Sequence, residues 1–155
     1  EKIRKIMEVN FFGTINSINS VYNYFKEKKS GHISIVSSVA GYRGLPAGGA
    51  YCASKAALTN YAESLYFDMK RFNVRVSVVS PGFIKTPMTD QNDFPMPMIK
   101  SAEFAANEIY KGLTKSKAFE IHFPKQFTFI MKLLQIMPNW LYLKIVKKGM
   151  SLIGR

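Results

Sequence analysis

GHISIVSSVAGYRGLPAGGAYCASK, residues 31–55, is the stretch that decides the fold. Its opening, His32-Ile33-Ser34-Ile35-Val36, is short and rich in β-branched residues, which predicts a buried strand. Gly41, Gly44, Pro46, Gly48 and Gly49 then interrupt regular structure. From Ala50 the chain becomes alanine-rich with helical spacing, so a helix follows. A strand passing through a glycine-rich loop into a helix is a unit of an open α/β sheet. Chemistry in such sheets is built at the carboxyl ends of the strands, where Ser37, Ser38, Tyr51 and Lys55 gather.

Tyr51 and Lys55 are four apart and so share a helix face. An unperturbed phenol titrates near ~10, too high for a base at neutrality. A neighbouring ammonium favours the phenolate and brings that value down. Ser38 lies thirteen positions before Tyr51, at the strand end. A serine and a tyrosine converging on one point can polarise a carbonyl oxygen and protonate it as charge develops. The Tyr-x-x-x-Lys spacing alone says nothing, because Tyr22/Lys26, Tyr24/Lys28 and Tyr66/Lys70 repeat it. Only the pair at 51 and 55 follows a strand, a serine and a glycine-rich loop.

Outward from this stretch, Ile3, Met7, Asn10, Thr14, Ile18, Val21 and Phe25 recur at three- and four-residue spacing, which predicts one helix over residues 1–28. Asn10 sits on that apolar stripe, and a buried amide needs partners. The helix from about Ala50 to Arg71 is expected to bury Ala53, Ala57, Tyr61, Leu65 and Met69. Residues 74–79 read as the next strand, stopped by Ser80-Pro81-Gly82. Residues 83–99 hold three prolines and three methionines and read as a long binding loop. Ser101 is a candidate N-cap for a short helix that Gly112 closes, and residues 118–123 read as a last parallel strand ended by Pro124. The fold class is α/β.

At 155 residues, 47% apolar and 14% aromatic, the chain suits one core-bearing domain. One cysteine, Cys52, excludes an internal disulfide and fits a reducing, cytoplasmic setting. His32 and His122, far apart, give no metal constellation. No apolar run is long enough to cross a bilayer. The net charge of +12 is uneven: residues 111–155 carry nine Lys/Arg against Glu120 alone. In the tail, Phe127, Ile130, Met131, Leu134 and Met137 form one apolar face, and Trp140, Leu141, Ile145 and Val146 stand among Lys144, Lys147 and Lys148. Such helices either cover a core or dock on an anionic membrane surface, with Lys opposite the aromatics. Nucleic-acid binding is not expected, for want of any groove-reading or base-stacking module.

The chain resembles the carboxyl-terminal half of a short-chain dehydrogenase/reductase. The matching residues are Asn10 in VNFFG, Ser38 in IVSSVAG, Tyr51 and Lys55 in YCASK, and Pro81-Gly82 in SVVSPGFIKTPM. The resemblance covers residues 1–124 as the catalytic half of a Rossmann-like domain, with 125–155 as a basic helical tail. It implies a partial doubly wound parallel sheet of the last three strands, and a catalytic tetrad of Asn10, Ser38, Tyr51 and Lys55. Asn10 would support a water relay from the lysine. Tyr51, Lys55, Pro81, Gly82, Ile84 and Thr86 would meet an NAD or NADP cofactor. It further implies a homodimer or homotetramer paired through the helices at 1–28 and 50–71. The family's Gly-x-x-x-Gly-x-Gly fingerprint lies nowhere in these 155 residues, and the chain opens at Glu1 inside a helix. A fragment beginning after the family's fourth strand is therefore expected.

Two functions follow. One is an oxidoreductase moving a hydride between a nicotinamide cofactor and a carbonyl or alcohol carbon, with a lipophilic or long-chain ketone as the expected substrate. The alternative is a truncated, non-catalytic fragment that acts only in oligomerisation or membrane-surface docking.

Overall fold

The computed structural model describes residues 1–152. Lys2–Met7 (α1), a π-helical turn at Glu8–Phe12 and Gly13–Lys28 (α2) follow one another without a break. The strand Gly31–Val36 (β1) leads through a 3-10 turn at Val39–Gly41 to the helix Gly49–Lys70 (α3). Val74–Pro81 (β2), Ala102–Lys115 (α4) and Glu120–Phe123 (β3) complete the α/β part. Lys125–Ile136 (α5) and Asn139–Leu152 (α6) form the tail.

The three strands are parallel in the order β1-β2-β3, with Ile33 opposite Val76, Ile35 opposite Val78, and Val79 opposite Ile121. Alternation along the strands sorts the side chains to two faces. On one face Ile33, Ile35, Val74, Val76 and Val78 pack against Ile18 of α2 and Leu58, Ala62, Leu65 and Met69 of α3. On the other, Val79, Ile121 and Phe123 pack against Ala105 of α4. The β1 portion of that second face is polar. There His32 Nε2 meets Ser77 Oγ at 2.8 Å, and Ser77 Oγ donates to Ser34 Oγ at 3.1 Å. Among the described residues β1 pairs only with β2.

Several boundaries differ from the sequence expectation. Of the expected stripe in the first helical run, Ile18 is buried and Met7, Asn10, Thr14 and Phe25 are half-buried, while Ile3 and Val21 are exposed. The buried stripe of α3 is Ser54, Leu58, Ala62, Leu65 and Met69, and Ala53 faces solvent. Ser54 can sit inside because its hydroxyl is bonded on both sides, as described below. Gly112 does not close α4, which runs on to Lys115. A Cβ at Gly112 would lie 2.5 Å from Ile121 Cγ2, so the glycine lets β3 approach the helix closely. The 83–99 loop contains a 3-10 turn at Thr89–Gln91 and a parallel bridge between Ile84 and Lys100.

α5 closes the α3 side of the sheet at its carboxyl end. Phe127 and Met131 pack on Val39 and Tyr42 of the β1–α3 loop. Glu120 accepts from Tyr42 Oη and Lys132 Nζ, which ties β3, the loop and α5 together. Tyr142 of α6 is buried and donates to the Gly44 carbonyl, with the Arg43 guanidinium 4.5 Å over its ring.

Candidate active site

β1 ends at Val36, and the next two residues are both buried serines with separate duties. Ser37 Oγ donates to the Lys55 carbonyl at 2.8 Å and lies 2.9 Å from Thr59 Oγ1, which fixes the strand end to α3. Ser38 caps the 3-10 turn by accepting from Ala40 N at 3.2 Å, and it reaches the Pro81 carbonyl at 3.4 Å. That last contact joins the loop after β1 to the end of β2.

Tyr51 stands in the first turn of α3 and is half-buried. Burial pushes its phenol above the ordinary tyrosine range, and the hydrogen-bonding hydroxyl of Ser38 counters that rise. Lys55, one turn on, sends its ammonium to the Val36 carbonyl at 3.1 Å and lies 5.7 Å from the centre of the Tyr51 ring. Burial holds the lysine below its usual range. The sequence expectation assigned the depression of the tyrosine to the lysine. In the structure Ser38 depresses it, and desolvation outweighs Ser38. The other Tyr-Lys pairs show that spacing is uninformative: Lys28 and Lys70 lie 5.2 and 5.6 Å over the rings of Tyr24, on exposed helix surface, and of Tyr66, which packs against the core.

Asn10 falls in the π turn, and its Nδ2 donates to Ser54 Oγ at 3.0 Å. Ser54 Oγ in turn donates to the Tyr51 carbonyl at 2.8 Å. Thr14 Oγ1 donates to the carbonyl of Asn10 at 2.8 Å. The amide therefore reaches the backbone of Tyr51 through one hydroxyl. Sequence reasoning missed Ser54, although a serine fixed between Tyr51 and Leu58 on the buried stripe is a legible signal.

Pro81 is the last residue of β2, and Gly82 N donates to the Phe123 carbonyl at 2.7 Å. A Cβ at Gly82 would lie 2.8 Å from the Phe127 ring, so this glycine is the seat of α5. Ile84 packs its side chain on the Val79–Phe123 cluster. Thr86 Oγ1 shares its turn with Thr89 Oγ1 at 3.2 Å. Ser38 and Pro81 are thus brought together, whereas Ile84 and Thr86 are engaged within the loop and its core.

The lysine ammonium carries three donors, and among the described residues one of them meets the Val36 carbonyl. The remainder suit the vicinal hydroxyls of a sugar, so the donor set here fits the ribose end of a nicotinamide dinucleotide. No group of three or more His, Cys, Asp or Glu side chains among the described residues could hold a metal. His122 Nδ1 is instead engaged by Thr128 Oγ1 at 2.7 Å.

Residues 1–95 match the sequence pattern of the short chain dehydrogenase family. The chain belongs to that family. The chain is 37% identical over 142 residues to an uncharacterized oxidoreductase of Myxococcus xanthus, covering 92% of this chain and 56% of the relative. It is 36% identical over 93 residues to a 3-ketodihydrosphingosine reductase of Bacteroides thetaiotaomicron, covering 60% of this chain and 35% of that protein. The crystal structure of a short-chain dehydrogenase from Burkholderia cenocepacia, in complex with NADP, superposes with a TM-score of 0.79 at 29% identity, covering 93% of this chain and 59% of that one. The chain spans about half the length of the M. xanthus relative, and a smaller share of the B. thetaiotaomicron one. The three-stranded parallel sheet with flanking helices is the Rossmann-like arrangement expected from the sequence.

Proposed function

We propose that Ser38, Tyr51 and Lys55 form the proton-handling part of an oxidoreductase site that interconverts a carbonyl and an alcohol. The observation that carries this reading is the Tyr51 phenol: half-buried, with the Lys55 ammonium 5.7 Å from the centre of its ring, on the helix that follows the Ser38 loop. In this assignment Ser38 holds the substrate oxygen, and Tyr51 gives that oxygen a proton or takes one from it. Lys55 binds the cofactor ribose, and Asn10 supports the relay behind it through Ser54. Tyr51, Lys55 and the Pro81, Gly82, Ile84 and Thr86 segment would border NAD or NADP, which supplies or accepts the hydride when bound. Water exclusion falls to the loop that α5 and α6 hold. A lipophilic or long-chain ketone is the proposed substrate, supported by the likeness to a 3-ketodihydrosphingosine reductase. Pairing of subunits through the helical run at 1–28 and α3 is supported by the exposed Val9 and Phe12 of the π turn, Tyr24 of α2 and Phe67 of α3.

The test is Tyr51→Phe in the full-length protein, assayed against a panel of aliphatic ketones of increasing chain length. Turnover should fall by roughly 10²–10⁴-fold, while quenching of nicotinamide fluorescence on binding is kept. Unchanged turnover removes Tyr51 from the role.

A second reading, that the 155-residue chain acts without catalysis as an oligomerising or membrane-docking piece, is favoured by the outer edge of β1, where Val36 is exposed. Titrating NADH and NADPH fluorescence against this chain separates the two. Saturable binding supports catalysis by the chain itself, and none supports the second reading.

A further inference from the structure

α5 and α6 each have two apolar sides. The inner side is accounted for by Phe127, Met131, Leu134 and Tyr142, which pack on the β1–α3 loop. The outer side is not. On α5, Phe129, Leu133 and Ile136 recur at helical spacing and are all exposed, Ile136 at 79%. On α6, Trp140 and Leu143 do the same, with Trp140 at 68%. Lys144 and Lys147 lie one and two turns along from Trp140, on the side of α6 away from the buried Tyr142, with Lys148 beside them. The sequence expectation placed the lysines opposite the aromatics; the structure places them together. From Lys125 to Arg155 the chain has six Lys/Arg and no acidic residue.

We infer that the outer side of α5 and α6 docks on an anionic lipid surface. A protein partner's core would leave clustered ammonium groups buried and unpaired. A bilayer interface takes both kinds of group at once. Tryptophan and leucine enter the headgroup–acyl boundary while lysines beside them extend to lipid phosphates. Because apolar and cationic groups are interleaved rather than segregated, the helices lie shallow and attachment is strongly electrostatic. No helix among the described residues is long and apolar enough to cross a membrane, so this is attachment to one leaflet. The same helices hold Arg43 and Gly44 in the loop that leads to Tyr51. Docking would therefore set that loop close to the lipid.

Flotation with vesicles tests this, using the full-length protein and its Lys144→Glu/Lys147→Glu/Lys148→Glu and Trp140→Ser/Leu143→Ser variants. All of these positions are exposed, so the fold is retained, and circular dichroism verifies it. The wild type should float with phosphatidylcholine vesicles containing roughly a quarter phosphatidylserine and stay behind with pure phosphatidylcholine. Raising the salt to about 0.5 M should release it. Loss of three lysines, at about 1 kcal/mol each, should by itself weaken partitioning by roughly a hundredfold, the three added carboxylates should weaken it further, and the Trp140/Leu143 variant should weaken it independently. Failure to float, equal flotation on neutral vesicles, or flotation unaffected by the variants overturns the inference. So does a sedimentation shift to a dimer that the Trp140/Leu143 variant abolishes without vesicle binding, which would make this face a contact between copies. Flotation does not require turnover, so its failure leaves the assignment of Tyr51 standing, and an active Tyr51→Phe enzyme leaves docking standing.

Discussion

Lys55 Nζ donates to the carbonyl of Val36 at 3.1 Å, so the last residue of β1 and the second turn of α3 are linked directly. A long side chain that spans the glycine-rich loop in this way fixes the helix relative to the strand end. Tyr51, one turn earlier on the same helix face, inherits that position. The tyrosine's environment is consequently set by β1 and its loop as much as by α3.

The Tyr51 phenol is raised by burial and lowered by Ser38. Carbonyl reduction needs the protonated phenol, so the rate should fall as pH rises through the tyrosine's pKa. A hydrogen bond to the phenolate favours the charged form, and its removal raises the pKa. In Ser38→Ala the alkaline limb of kcat/KM should move to higher pH, with the rate itself reduced by about 10²-fold. A pH profile of the variant checks this, and an unmoved limb would separate the two residues.

Ser54 carries the bond from Asn10 to the Tyr51 carbonyl. Ser54→Ala leaves the half-buried Asn10 amide without that partner, and should cost about 1–3 kcal/mol. Chemical denaturation measures it. In the double variant with Asn10→Ala the cost should be less than the sum of the singles, because the stranded amide is gone.

Glu120 is held below its ordinary carboxyl range although burial alone would raise it; the bonds from Lys132 and Tyr42 outweigh that burial. A depressed folded-state pKa contributes stability that is present above the unfolded value of 4.5 and lost as pH falls through the folded value. The denaturation midpoint of the wild type should therefore drop on acidification below that pH. In Lys132→Met both contributions of the lysine are lost, the folded pKa moves up toward the unfolded one, and the loss of stability on acidification should shrink. Equal acid slopes in the two proteins would argue against the Glu120–Lys132 tie.

Gly112→Ala would place a carbon 2.5 Å from Ile121 Cγ2. The overpacking should cost about 1–3 kcal/mol in spite of the ~1 kcal/mol gained in helix propensity. Adding Ile121→Ala should make the pair less than additive, which melting of the double variant reports.

Much of this was legible in the residues. The strand read at 32–36 announced itself through Ile33, Ile35 and Val36, and the context of Tyr51 set it apart from three look-alike pairs. What escaped depends on contacts distant in sequence. The α3 stripe shifted because Ser54 is satisfied by Asn10, 44 residues away. Gly112 read as a helix stop because its packing partner, Ile121, lies on a strand. The π turn at Glu8–Phe12 interrupts the expected single helix, and no propensity marks such a turn. The tail's apolar residues were visible, but only packing divides them between an inner and an outer side. Thr86 is the reverse case: resemblance singles it out, while its own turn with Thr89 already uses its hydroxyl.

The polar ladder of His32, Ser77 and Ser34 lies beside a strand edge whose inward residues, Ile33 and Ile35, are already locked into the core. Any further strand laid along β1 would meet a template with its pleat and phase determined in advance. Enlargement of the sheet on that side is then a matter of zipping amides to carbonyls, with the interior beneath left as it stands.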